Sequence, residues 1–149
     1  MNRVALLDVN VLVALFDSEH VHHDLAHDWF ADRRALGWAT CPITENGFFR
    51  VLTNPAYGHD ALRPDVLLKA LCKFRASGHH HFWPDSVSLA DEGLFTLAQA
   101  PNHRQLTDVY LLALATKMKG CLATFDRTIP AKAVVGATAA SLLVITPAE

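Results

Sequence analysis

The sequence predicts an α/β fold: a mostly parallel sheet of about five strands, covered on both faces by helices. Three observations carry this expectation. Short apolar runs of strand length alternate with longer helical patterns along the whole chain. Several of the helical patterns begin and end on recognisable start and stop residues. No repeat, low-complexity tract or linker interrupts the 149 residues, which are enough for one sizeable core and too few for two ordinary domains. One domain over residues 1–149 is therefore expected.

The first run, VALLDVNVLVALF over residues 4–16, places a carboxylate (Asp8) and an amide (Asn10) in apolar surroundings. A signal-peptide core fits poorly, because a central Asp costs roughly 2.5–3.5 kcal/mol in an inserted helix. No small-residue cleavage pattern follows it either. The run reads instead as a buried strand, VALL (4–7), that ends at Asp8 where a helix begins. HVHHDLAHDWFADRRA (20–35) predicts the next helix and LGWATC (36–41) the second strand. TENGFFRVLTN (44–54) predicts a helix capped by Thr44, and PDVLLKALCKFRAS (64–77) one opened by Pro64 and closed by Gly78. HHFW (80–83) is the third strand and SLADEGLFTLAQA (88–100) a further helix. TDVYLLALATKMKG (107–120) reads as a helix capped by Thr107 and ended by Gly120, and CLATF (121–125) and LLVI (142–145) supply the last strands.

With 51% hydrophobic and 19% charged residues, the composition excludes a disordered chain. No apolar stretch elsewhere reaches the ~20 residues that span a bilayer, so no membrane role is expected. Cys41, Cys72 and Cys121 are odd in number and form no CxxC motif. They read as small buried residues of a reducing compartment, which points to the cytoplasm. The net charge of −2 argues weakly against a broad nucleic-acid-binding surface. If four acids are gathered at one site, however, 11 remain against 13 Lys and Arg, so charge excludes no nucleic-acid substrate.

In parallel sheets, ligands bind beyond the carboxyl ends of the strands. Asp8 ends the first strand and Asp126 follows CLATF, so the two share one rim. Glu45 and Asp108 open helices directly after Thr44 and Thr107. Each of these alone is explained by the helix dipole, worth ~0.3–1 kcal/mol, and a strand-end Asp can simply cap the next helix. Four acids at one sheet edge need more than that. Carboxylates clustered without nearby Lys or Arg repel one another unless a cation joins them. Hard oxygen donors suit Mg²⁺ or Mn²⁺, which can activate a water and clamp the oxygens of an in-line displacement at phosphorus. The chemistry implied is phosphoester hydrolysis.

The segments LLDVNVLVALFD, TENGFFRVLTNP, LTDVYLLALA and LATFDR, with 37, 63 and 18 residues between successive acids, resemble the PIN-domain nucleases. They are similar in particular to the VapC-type ribonuclease toxins of prokaryotic toxin–antitoxin pairs. The resemblance covers the whole chain. It implies a three-layer α/β/α sandwich that cleaves RNA with Mg²⁺ or Mn²⁺, forms a homodimer and is silenced by an antitoxin whose tail enters the acidic groove. The family's acidic quartet carries over onto Asp8, Glu45, Asp108 and Asp126 as catalytic and metal-binding residues. Asn10, two places after the first acid, and Thr124, two before the last, match the supporting polar positions.

Other features rank lower. His20, His23 and His27 are spaced to share a helix face, and His79–His81 are consecutive, but no further ligands complete a zinc site. A solvated helix start and an exposed turn are the preferred readings. Asp91 and Glu92 are read as solvated residues of a helix. Arg50, Arg104 and Arg127 lie near the acid motifs and are either phosphate contacts or solubilising charges, while Trp38 and Trp83 are read as core.

Rival functions fail on specific residues. A dehalogenase-type phosphatase needs a second Asp where Asn10 stands. A response-regulator receiver needs an acidic pair after the first strand and a late Lys, and LLVITPAE has none. A PIN nuclease of RNA processing, or a PIN-like module that binds without cleaving, remains as the alternative that activity decides.

Overall fold

A computed structural model of the chain describes residues 3–58 and 62–147. Five strands form one sheet, β1 (Ala5–Leu7), β2 (Trp38–Thr40), β3 (His80–Phe82), β4 (Cys121–Thr124) and β5 (Leu142–Val144), in the order β3-β2-β1-β4-β5. Every neighbouring pair is parallel. The helices are α1 (Val9–Phe16), α2 (His23–Arg33), α3 (Pro42–Leu52), α4 (Pro64–Arg75) and α5 (Leu106–Lys117).

Alternation along the strands builds two cores. Ala5, Leu7, Cys121 and Ala123 face the layer made by α1 to α4, where Phe30, Trp38, Phe48 and Leu71 are buried. Leu6 and Leu122 face the opposite layer, where α5 is buried without a break from Val109 to Ala115. The expected α/β/α sandwich is thus present, with its parallel sheet interior to both helical layers. The chain leaves β1 for β2 and β3, then returns to add β4 and β5 on the other side. The crevice of such a sheet therefore lies between the carboxyl ends of β1 and β4.

Several sequence expectations need correction. Residues 88–100 form no helix, only a short 3₁₀ turn at Leu97–Gln99. The Ser88 hydroxyl accepts the Ala90 N–H and the Asp91 carboxylate accepts the Gly93 N–H, local bonds that compete with a helical ladder. Asp91 and Glu92 are exposed there, in turn and not helix. Thr44 is no N-cap: α3 starts at Pro42 behind Cys41, and the Thr44 hydroxyl reaches back to accept the Cys41 N–H at 2.9 Å. Thr107 likewise lies inside α5, whose cap position is Gln105.

The left-handed turn after α5 is made by Lys119 (φ 58°), with Gly120 serving another purpose. A Cβ on Gly120 would stand 2.4 Å from the Val4 carbonyl oxygen and 2.6 Å from the Trp83 ring, so Gly there is a demand of packing. Cys72 is exposed, unlike the buried Cys41 and Cys121. Trp38 and Trp83 are core residues, as expected.

The histidines do structural work that spacing did not suggest. Helix α1 ends with orphan carbonyls. His23 Nδ1 donates to the Ala14 carbonyl at 2.6 Å and His27 Nε2 to that of Leu15 at 2.8 Å. The start of α2 is thus tied to the end of α1, with His23 half-buried and His27 still exposed to solvent as expected. Of the run 79–81, His79 makes a left-handed turn at φ 65°, while His80 and His81 belong to edge strand β3.

Candidate active site

Asp8 caps α1 at the carboxyl end of β1 and is almost fully buried, with 7% of its surface exposed. Its Oδ1 accepts the Val9 N–H at 2.7 Å and its Oδ2 accepts the Thr124 hydroxyl at 2.8 Å. Desolvation raises its pKa above the ordinary range despite those two bonds, and the charge of Asp126 adds to the rise. Thr124 is wholly buried at the end of β4, and the same hydroxyl oxygen accepts the Asp126 N–H at 3.1 Å. One threonine thus ties the first acid of the rim to the last.

Asp126 sits in the turn after β4. Its Oδ1 accepts both the N–H and the hydroxyl of Thr128, each at 2.7 Å. Asp108, in the first turn of α5, is half-buried, and no hydrogen bond among the described residues offsets its desolvation. Burial, then the charges of Asp8 and Asp126, push its pKa up to about 7. Three carboxylates from the ends of two strands and one helix therefore share an electrostatic neighbourhood, with Asp108 its least compensated member. Among the described residues, no three His, Cys, Asp or Glu side chains converge closely enough to hold one ion as placed. Asn10 is exposed in the first turn of α1, on the helix that Asp8 caps.

Glu45 is bonded elsewhere. Its Oε2 accepts the Thr40 hydroxyl at 2.6 Å and lies 3.2 Å from Arg75 Nη1. It is absent from the charges that raise Asp108. The sequence reading missed Thr40 and Arg75. A signal for Thr40 was present, since β2 and β4 end on the same Ala-Thr pair (WAT and LAT) and each threonine hydroxyl donates to an acid. Arg75, in the last turn of α4, reads as an ordinary dipole-compensating residue and carries no such signal.

A cleft of about 500 Å³ adjoins the rim between the starts of α3 and α5, bounded by Val9, Asn46, Arg50 and Thr107. Of the three arginines weighed from sequence, Arg50 lines this cleft, while Arg104 and Arg127 are exposed outside it.

A β1–α1 switch carrying one acid, a β4 turn carrying another and a helix start carrying a third, at the crevice of a 3-2-1-4-5 parallel sheet, define a family of fold and site together. The PIN domain family profile matches residues 5–135, and the chain belongs to the PIN-domain family. It is 41% identical over 134 residues to ribonuclease VapC44 of Mycobacterium tuberculosis, covering 90% of this chain and 94% of that protein. It is 45% identical over 123 residues to ribonuclease VapC38 of the same organism, covering 83% and 85% respectively. Ribonuclease VapC39 of that organism is 40% identical over 132 residues, or 89% and 95% of the two chains.

Proposed function

We propose that this protein is a divalent-metal-dependent ribonuclease that acts as the toxin of a VapBC-type toxin–antitoxin pair. The observation that carries the catalytic part is Asp108, a half-buried carboxylate whose desolvation no hydrogen bond among the described residues offsets and whose pKa is raised further by two acids, Asp8 and Asp126. Such a group calls for a cation. The donor set is all carboxylate, and Mg²⁺ or Mn²⁺ takes one or two carboxylates directly and completes its shell with water and substrate phosphate. Loose convergence of the three acids suits that mode of binding. Asp8, Asp108 and Asp126 would hold the ion, with Glu45 the fourth acid at the rim. A divalent cation here supplies Lewis-acid activation of water and charge neutralisation at phosphorus.

The chain's own residues set the geometry. Thr124 orients Asp8 Oδ2 and positions the Asp126 backbone, while Thr128 fixes one Asp126 oxygen. Arg50, exposed in the adjoining cleft, is placed to pair with an RNA phosphate. Asn10 is exposed on the helix that Asp8 caps and is available to bind substrate or ordered water.

The toxin role and the antitoxin partner follow from the naming of the relatives as VapC ribonucleases. An acidic groove is matched by a partner presenting Arg, whose guanidinium pairs bidentately with carboxylates. A homodimer acting as one PIN domain per chain in the cytoplasm completes the reading. No helix among the described residues is long and apolar enough to cross a membrane.

RNA cleavage in Mg²⁺ or Mn²⁺, with and without EDTA, is the direct test. Cleavage should stop with EDTA, leave 5′-phosphates and fall by orders of magnitude in Asp8→Asn, Asp108→Asn and Asp126→Asn. Activity that survives EDTA and yields cyclic phosphates would refute the metal mechanism. A folded, metal-binding protein that cleaves no RNA would favour the binding module.

A further inference from the structure

Two ion pairs occur among the described residues. Arg63–Asp65 lies on the surface, with 76% and 60% of its side chains exposed. The other, Arg75–Glu45, is largely enclosed on the acid side: Glu45 is 17% exposed and Arg75 36%. Arg75 Nη1 stands 3.2 Å from Oε2 and 3.5 Å from Oε1 of Glu45, and the Thr40 hydroxyl occupies Oε2 as well. A hydroxyl carries one proton, and here it points at Glu45. His80, whose Nε2 lies 2.7 Å from the same oxygen, must therefore be the donor to Thr40. Glu45 is thus held by a chain of donors running from β3 through β2, and its charge is matched by a guanidinium from α4.

We propose that Arg75 is an internal counter-ion that withholds Glu45 from the divalent-cation site. The resting site is then made by Asp8, Asp108 and Asp126, and it recruits Glu45 only when the guanidinium leaves. This rests on the metal-site reading above.

The pair is built to open. Arg75 also stacks over the ring of Phe82, with its Cζ 5.3 Å from the centroid, and Phe82 is 44% exposed at the sheet edge. The guanidinium already rests on this part-exposed ring while paired with Glu45, so it keeps that contact when the pair opens. A part-exposed ion pair is a weak latch, which a dication drawn by three further carboxylates can displace. Thr40 and His80 stay with the sheet, so Glu45 keeps an oriented donor when Arg75 departs.

The test is calorimetric titration of Mn²⁺ into the metal-free full chain, without RNA. The proteins are wild type, Arg75→Gln, Arg75→Lys, Glu45→Gln and the double variant Glu45→Gln/Arg75→Gln. Arg75→Gln should bind Mn²⁺ about two- to fivefold tighter than wild type, and Arg75→Lys should stay near wild type. The gain from Arg75→Gln should be clearly smaller in the Glu45→Gln background. Arg75→Met, which drops the charge and keeps the aliphatic stem, should tighten binding too, and it decides the matter if Arg75→Gln does not fold. No gain in either variant overturns the proposal. An equal gain with and without Glu45 also overturns it, since Arg75 would then act only as a distant charge. If wild type binds no Mn²⁺ at all, this inference falls together with the metal site, whereas binding without the Arg75 effect removes this inference alone.

Discussion

Asp108→Asn separates a metal site from a helix-start acid, because the two readings predict opposite signs. In the folded chain, burial and the charges of Asp8 and Asp126 raise the Asp108 carboxyl from 3.8 to about 7. The unfolded chain releases this proton near 3.8, whereas the fold retains it until about 7. The stability that protonated Asp108 permits is fully present below pH 4 and is lost as pH rises through about 7. Once both states are ionised, the shift corresponds to roughly 4 kcal/mol. Asp108 is partly open to water, and screening reduces this to about 2 kcal/mol. Asn keeps the shape and removes the charge. In EDTA at pH 8, the variant should melt higher by about 4–8 °C, at roughly 2–4 °C per kcal/mol for a chain of this size. The difference should close as pH falls toward 4. Added Mg²⁺ should stabilise wild type by about 2.7 kcal/mol at a hundredfold excess over the dissociation constant. The variant lacks a ligand and should gain less, so the two melting curves converge or cross. A helix-start acid would instead lose a few tenths of a kcal/mol on amidation. A variant less stable than wild type in EDTA, with an undiminished Mg²⁺ shift, would refute the metal-site reading of Asp108.

Three further outcomes are expected. Thr124→Val keeps the volume but leaves Asp8 Oδ2 and the Asp126 N–H without their shared partner; thermal melts should show a loss of about 1–3 kcal/mol, together with reduced cleavage. Gly120→Ala forces a Cβ against the Val4 carbonyl and Trp83, so denaturant unfolding should report at least ~1–3 kcal/mol of destabilisation with metal binding retained. Arg50→Gln removes a cation from the cleft beside the rim, and steady-state kinetics should show KM for RNA raised about tenfold with little change in kcat and no change in melting temperature.

The centre of the sheet was legible because β1, β2 and β4 are buried throughout and read as short apolar runs ending beside a polar residue, whereas the edge strands β3 and β5 are partly exposed. Asp8 and Asp126 were legible for the same reason: a charge at the end of such a run has only the carboxyl rim to occupy. Helix ends were less so. Thr44 and Thr107 have the chemistry of caps, yet tertiary packing starts α3 at Pro42 and α5 at Leu106. In α3 the threonine then serves from inside the helix, accepting the Cys41 N–H that a cap would have addressed from outside. The false helix over 88–100 arose from apolar spacing alone, and Ser88 and Asp91 outweighed it by bonding their own backbone. Nothing local announces that His23 and His27 will meet the end of α1, because their acceptors lie 9 and 12 residues away and belong to another helix.

Glu45 marks where motif reading and geometry part. Position in the chain groups it with three aspartates, and all four sit beyond strand ends. What distinguishes it is a guanidinium 30 residues further on, brought close because α4 leads into β3 and β3 lies beside β2. The two edges of the site then differ physically. On the β4 side, Thr124 and Thr128 bring neutral donors to acids whose charges remain unmatched. On the β2 side, the same Ala-Thr strand ending meets an acid already matched by Arg75. Identical local sequence thus produces an uncompensated carboxylate at one edge and a compensated one at the other. The difference is set by which element the topology packs alongside, and the unmatched negative charge of the rim is concentrated at Asp8, Asp108 and Asp126.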